Sequence, residues 1–316
     1  MANRSRAFAA IVVVAGLLVS SCGGGNDGGS ENADDFGDPG DCTVIDTAVS
    51  SEKIDLMSDL ARSFNGSDAA KTADGCGFVR PYSRSSGGAS VLLATTWPDE
   101  GEGERPVIWS PAASSWGAIV NQRLSNEGQP AVVDKAVSFQ LTPLVIAMPQ
   151  PMADALGYPE KPIGWADIAE LATSTEGWAA YGHPEWGAFK LGKTNPNFST
   201  SGLSALIGQT YAAAGKERGL SQEDLDDPAT EAFAAQVESA VVHYGDITMT
   251  FLNNWFRTDR EGTSLLYASA VAVEEKSVID YNTGNPDGVL TPGEKPRKPR
   301  VPLVAIYPKE GTLYSD

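Results

Sequence analysis

Histidine and cysteine are scarce in this chain of 316 residues, which holds only His183, His243, Cys22, Cys42 and Cys76. So little of either leaves almost no material for a zinc site or a Cys/His nucleophile, and no metal or cofactor is expected. The Gly-x-Ser-x-Gly spacing of a serine hydrolase is missing too, and scattered acids such as Asp46 and Asp246 are ordinarily surface residues, so a hydrolase ranks third among the function classes. Basic residues are few: 23 Lys and Arg stand against 41 Asp and Glu, a net charge of −18. That excess repels phosphate backbones and anionic lipid, which argues against nucleic acid as a partner. It leaves small ligands open, because local dipoles can oppose a global field.

One apolar run stands near the N-terminus. Residues 1–21 carry Arg4 and Arg6, then the apolar stretch 9–19, too short for a stable membrane span and flanked like a secretion signal. The small residues Val19, Ser20 and Ser21 before Cys22 resemble the lipobox of bacterial lipoproteins. That resemblance implies acylation of Cys22, a mature N-terminus there, and an exported protein held on the outer face of the membrane by its lipid. Residues 22–41 follow as a flexible acidic tether, with seven glycines and six acids in 23–41 and no Lys or Arg. In an exported chain Cys42 and Cys76 can pair, closing a loop worth about 4 kcal/mol on the chain-entropy model; two free buried thiols are the alternative.

The rest of the chain exceeds a single core and predicts two lobes. Its first half repeats one unit, a strand, a serine-bearing turn and a helix. Residues 43–48 lead through Ser50 and Ser51 into a stripe of Ile54, Met57, Leu60, Ala61 and Phe64. Residues 77–82 lead through Ser85 and Ser86 into 89–94, and the buried strand expected at 107–109 leads through Ser114 and Ser115 into Trp116, Ile119, Val120 and Leu124. Each serine pair alone is an ordinary N-cap. Three in register are more telling, because the turns of an open α/β sheet gather at the carboxyl ends of its strands, where helix N-termini converge and ligands bind.

Residues 138–148 form an extended apolar run suited to a crossing between lobes, and 164–172 an amphipathic helix. Thr194 and Asn195 begin a polar hinge that reaches a helix start at Ser199, Thr200 and Ser201, a fourth cluster of donors. Asp227 and Pro228 mark a further helix start. Residues 265–273 read as strand running into Glu274, with Tyr281 and Asn282 close behind; 285–300 read as an exposed basic excursion and 301–307 as a strand. Six of the seven tryptophans, among them Trp116, Trp178 and Trp255, offer a sugar-stacking platform or, for several of them, simply core.

This pattern resembles the type II extracellular solute-binding proteins, the class of molybdate-, sulfate- and phosphate-type binding lipoproteins. The residues that carry it are 54–65 after the Ser50, Ser51 turn, the crossing 141–149, the run 164–168, the 194–202 turn, and 301–308 followed by Glu310, Gly311 and Thr312. More narrowly, the chain is similar to actinobacterial lipoproteins in which such a region precedes a von Willebrand factor A domain, although the Asp-x-Ser-x-Ser metal pattern of that domain does not occur. The resemblance implies two Rossmann-like α/β lobes around a cleft, the type II periplasmic binding protein fold; because the chain stops after the 301–307 strand with no helix to cover it, the last lobe is expected to be incomplete at the C-terminus. Lobe 1 would be 42–143 plus 301–316 and lobe 2 would be 144–300, hinged near 142–145 and 301–305. The ligand contacts it implies are Ser50, Ser51, Ser85, Ser86, Ser114, Ser115, Thr194, Asn195, Ser199, Thr200 and Ser201, joined by Glu274, Tyr281 and Asn282. The expected function is capture of a small polar or oxyanionic solute for an ABC-type permease, not catalysis. An ionised Glu274 in the cleft would shift the expectation to an organic or cationic solute. The second reading, a cell-surface interaction module on the same scaffold, is kept for its long tether and basic loop.

Overall fold

A computed structural model describes residues 36–98, 101–288 and 295–315. The leader, most of the tether and Cys22 lie outside the described residues. Among the described residues no helix is long and apolar enough to cross a membrane.

The chain forms two sheets. In the first, β1 (Thr43–Val49), β2 (Lys71–Thr72), β3 (Gly75–Ser83) and β4 (Ile108–Ser110) lie in the order β2-β3-β1-β4, with β3 and β4 both parallel to β1. Helices α1 (Ile54–Phe64), α2 (Ser86–Ala94) and α3 (Ser115–Asn126) follow β1, β3 and β4. The chain therefore turns to one side of β1 and then the other, and the serine-bearing turns gather at the reversal in strand order. Cys42 and Cys76 form a disulfide. Phe36, which composition alone places in the tether, is buried against Ala61 and Phe78 with Arg62 over its ring, so the ordered lobe begins before residue 42.

The second sheet begins with β5 (Thr142–Pro149), after which α4 (Gln150–Ala155) and α5 (Trp165–Thr173) lead to β6 (Leu191–Thr194). Then come α6 (Thr200–Ala214), α7 (Gln222–Leu225), α8 (Pro228–Glu238), β7 (Val241–Gly245), α9 (Thr248–Glu261), α10 (Ser264–Tyr267), β8 (Ala270–Glu274), α11 (Glu275–Thr283), β9 (Leu303–Ile306) and β10 (Tyr314–Ser315). The order is β10-β5-β8-β6-β7, with β9 also paired to β5. Strands β6, β7 and β8 run parallel, and β5 is antiparallel to β8, β9 and β10. Both faces are covered, and strand alternation divides the side chains between them. Leu144, Ile146, Met148, Ala270 and Ala272 enter one core with Trp165 and Trp178, while Val145, Ala147, Val271 and Val273 enter the other with Phe251, Trp255 and Tyr281.

Three expectations change. The segment assigned to lobe 1 at 301–316 instead supplies β9 and β10 to the edge of β5, because β5 belongs to the second sheet along its whole length and offers that edge. The strand at 107–109 is not buried: β4 is a short edge strand with Val107 73% and Ile108 48% exposed. Within 265–273 the first residues coil into α10, whose cap is tied by the Leu266 amide to the Thr263 carbonyl at 2.9 Å, and only 270 onward is strand.

Candidate functional site

Two helix starts from opposite lobes meet. Ser85 caps α2, its Oγ accepting from the Gly88 amide at 3.3 Å, and Ser199 caps α6, accepting from the Gly202 amide at 3.4 Å. Between them the Gly87 amide donates to the Phe198 carbonyl at 3.1 Å. Gly87 is required here for space: a Cβ on it would stand 2.0 Å from the Asn197 carbonyl oxygen. From α3, the buried Trp116 Nε1 donates to Thr200 Oγ1 at 2.8 Å, a second bond across the lobes. Ser86 Oγ accepts the Ala112 amide at 3.0 Å and so ties the second and third first-lobe turns together. Ser51, Ser85, Ser86, Ser199, Thr200, Ser201 and Thr248 line a cavity of ≈ 20 Å³, about the space one water needs.

Behind this contact lies a carboxylate. Glu274, 3% exposed at the end of β8, accepts hydrogen bonds from Ser201 Oγ and, at 3.2 Å, from Ser315 Oγ. The Ser201 proton is committed to Glu274, so Thr248 donates to Ser201 across 2.6 Å. Glu52, from the turn after β1, borders the small cavity and also a larger one of ≈ 270 Å³. Leu56 and Ala112 of the first lobe, Thr142 at the start of β5, and Glu274, Lys276 and Ile279 of the second also line the larger cavity. Burial raises the Glu274 pKa, and burial together with the charge of Glu274 pushes Glu52 up to about 7. The site thus has dipole-rich helix starts on one side and two carboxyl groups on the other.

The family model for bacterial extracellular solute-binding proteins matches residues 46–306, both lobes and the cleft between them. The chain belongs to that family. It is a family of binding proteins, and the two α/β lobes of this solute-binding protein are the type II arrangement. Among solved structures it is similar to a periplasmic thiamin-binding protein (11% identity, 87% of this chain and 71% of that one, TM-score 0.48). It is also similar to the periplasmic binding protein AfuA of Actinobacillus pleuropneumoniae with fructose-6-phosphate bound (13%, 87% and 71%, 0.47). A third is the Azotobacter vinelandii periplasmic molybdate-binding protein (13%, 76% and 74%, 0.32). No curated protein matches the chain.

The solute-binding protein brings together Ser51, Ser85, Ser86, Ser199, Thr200, Ser201 and Glu274. Others lie elsewhere. Ser50 is buried with its Oγ unpartnered among the described residues, while its amide donates to the Ser110 carbonyl at 2.9 Å. Ser114 is exposed and borders a separate first-lobe groove, and Ser115 merely opens α3; their neighbour Trp116 is the residue that crosses the cleft. Thr194 is buried beneath α6 with Gln209, and Asn195 uses its Oδ1 on the Asn197 amide at 3.0 Å, bracing its own turn. Tyr281 is core, edge-on to Phe256 at 5.2 Å, and Asn282 clamps both backbone groups of Leu303 at 2.7 and 2.9 Å. The reason is helical phase: α11 starts at Glu275, so Tyr281 and Asn282 fall nearly two turns from the cleft.

Sequence reasoning passed over Glu52, Thr248, Ser315 and Gly87, and had Trp116 only among the tryptophans offered as a sugar platform or core. Only Glu52 had a signal, its place directly after the Ser50, Ser51 turn. Thr248 and Ser315 reach the site through strand pairing and helix placement that no local pattern encodes.

Proposed function

We propose that this protein captures a small polar solute between its lobes and hands it to an ABC-type permease, held at the cell surface by a lipid on Cys22. One observation carries the reading: the starts of α2 and α6, from different lobes, hydrogen-bond to one another beside a ≈ 270 Å³ cavity that both lobes line. That volume stands just under the about 300–1,000 Å³ range of small-molecule pockets. Solute entering from solvent needs the lobes to part, and closure then buries it among hydroxyls and backbone donors; the crossing between α3 and β5 is where the chain would flex, because β9 and β10 return to the second sheet.

A thermal-unfolding screen of oxyanions, sugars, amino acids and amines tests capture. A solute at a hundredfold excess over its Kd should add about 2.7 kcal/mol and raise the midpoint by several degrees. Absence of any shift across all four classes would count against capture and favour the interaction module. For the anchor, Cys22→Ala should release the protein from the membrane fraction into the medium, and retention would argue against lipidation.

A further inference from the structure

The chemistry of the larger cavity narrows the solute. Its polar end is supplied by Glu52 from the first lobe and Glu274 from the second, two like charges that closure brings to one partly enclosed space. Glu274 is already satisfied by Ser201 and Ser315, whereas Glu52 has no hydrogen-bond partner on another side chain among the described residues. The two lysines that border the cavity each hold another partner, while their charges also bear on Glu52. Lys53 donates through Nζ to the Pro111 carbonyl at 2.7 Å and lies over the Phe139 ring, and Lys276 pairs with Asp280. Glu275 takes the hydroxyl of Tyr307. The cavity is also lined by the apolar side chains of Leu56, Leu141 and Ile279.

On the reading that the cleft captures a solute, we infer that the solute is an organic cation: a protonated nitrogen seated against Glu52 and Glu274, with an apolar body covered by Leu56, Leu141 and Ile279. An oxyanion in the same place would face two carboxyl groups, and the two ammonium groups at the border are already held by the Pro111 carbonyl and Asp280. A cation is the partner that lets both carboxylates stay ionised out of water, and it bridges the lobes because its two counter-charges come from different lobes. The helix-start hydroxyls then act in closure and leave charge selection to the carboxylates.

The test uses the full chain with choline, n-butylamine and 1,4-diaminobutane as cations, 1-butanol and glucose as neutral probes, and butyrate, sulfate and molybdate as anions. Thermal unfolding and titration calorimetry are read on wild type, Glu52→Gln and Glu274→Gln, with far-UV circular dichroism confirming that each variant folds. At least one cation should stabilise the wild type, with affinity falling tenfold or more in Glu52→Gln, and no anion should bind tighter than its neutral analogue. If only anions or neutral probes stabilise the protein, the cation assignment falls while capture stands. Cation binding that is unchanged in both variants overturns the assignment of the two carboxylates. If no probe here and no member of the wider screen stabilises the protein, the capture reading itself fails and takes this inference with it.

Discussion

Replacing Gly87 by alanine isolates the lobe-to-lobe contact from the stability of either lobe. Gly87 lies in the first turn of α2 outside the left-handed region, so alanine fits the backbone and should add about 0.4–1 kcal/mol to the lobe by lowering unfolded-chain entropy. Across the cleft the same methyl meets the Asn197 carbonyl oxygen at 2.0 Å and Phe198 Cα at 2.5 Å, where ordinary contact begins near 3.4 Å, so the surfaces must part by about 1.4 Å. Both atoms are backbone, held by the Asn195 turn, and cannot swing aside. Separation breaks the bond from the Gly87 amide to the Phe198 carbonyl and strains that from Trp116 to Thr200, each worth roughly 0.5–1.5 kcal/mol net. The expected outcome is a variant that unfolds no more than about 2 kcal/mol more easily than wild type, the lost cross-lobe bonds partly offset by the backbone gain, but is shifted toward an open cleft. Hydrogen exchange read by mass spectrometry should show lost protection in peptides covering 85–92 and 196–203. Peptides from β5 and β8, buried on both faces, should exchange as before. Unchanged protection at both helix starts would refute the claim that this contact holds the lobes together in solution, and loss spread through β5 and β8 would show that the substitution damages the fold instead.

The cleft carboxyl pair predicts a pH dependence. Glu52 is raised from 4.5 to about 7, so between those values the folded state holds a proton that the unfolded chain releases, and stability from this group is complete below about pH 4.5 and is lost as pH rises through 7. Glu52→Gln should therefore be more stable than wild type at pH 8 by at most about 3 kcal/mol, less in practice because Glu52 is partly exposed, and equal to it near pH 4; urea midpoints that differ by a constant amount at all pH would contradict this. Asp259, 2% exposed, accepts the Arg300 and Val301 amides at 2.7 and 2.9 Å, so Asp259→Ala should cost roughly 2–4 kcal/mol in a denaturant melt, with little effect on solute affinity. Replacing Cys42 and Cys76 together by serine opens a loop of sequence separation 34 and should cost about 4 kcal/mol, confined to first-lobe peptides in hydrogen exchange.

Much of the first lobe was legible because its signals are local. A β-branched strand, a serine turn and an apolar stripe at helical spacing can be read within some twenty residues, and β1, α1, β3 and α3 stand where that pattern puts them. The same holds for Asp227, which caps α8 through the Ala229 amide at 2.8 Å, and for the cap at Ser199. Strand exposure was not legible. Val107 and Ile108 are apolar enough for a central strand, yet whether a strand has a neighbour on both sides depends on pairing with residues far along the chain.

By itself the sequence determined the two-lobe α/β plan, the pairing partners of the disulfide and the clustering of hydroxyls at helix starts. Those properties follow from composition, period and turn chemistry, which a short window contains. Tertiary structure alone decided that β9 and β10 complete the second sheet, that Tyr281 is core while Glu274, seven residues earlier, faces the cleft, and that Glu52 from the other lobe joins it. Which lobe receives a returning strand is set by the free edge of β5, and which carboxyl groups share a cavity is set by how the lobes close; neither is written in any local run of residues.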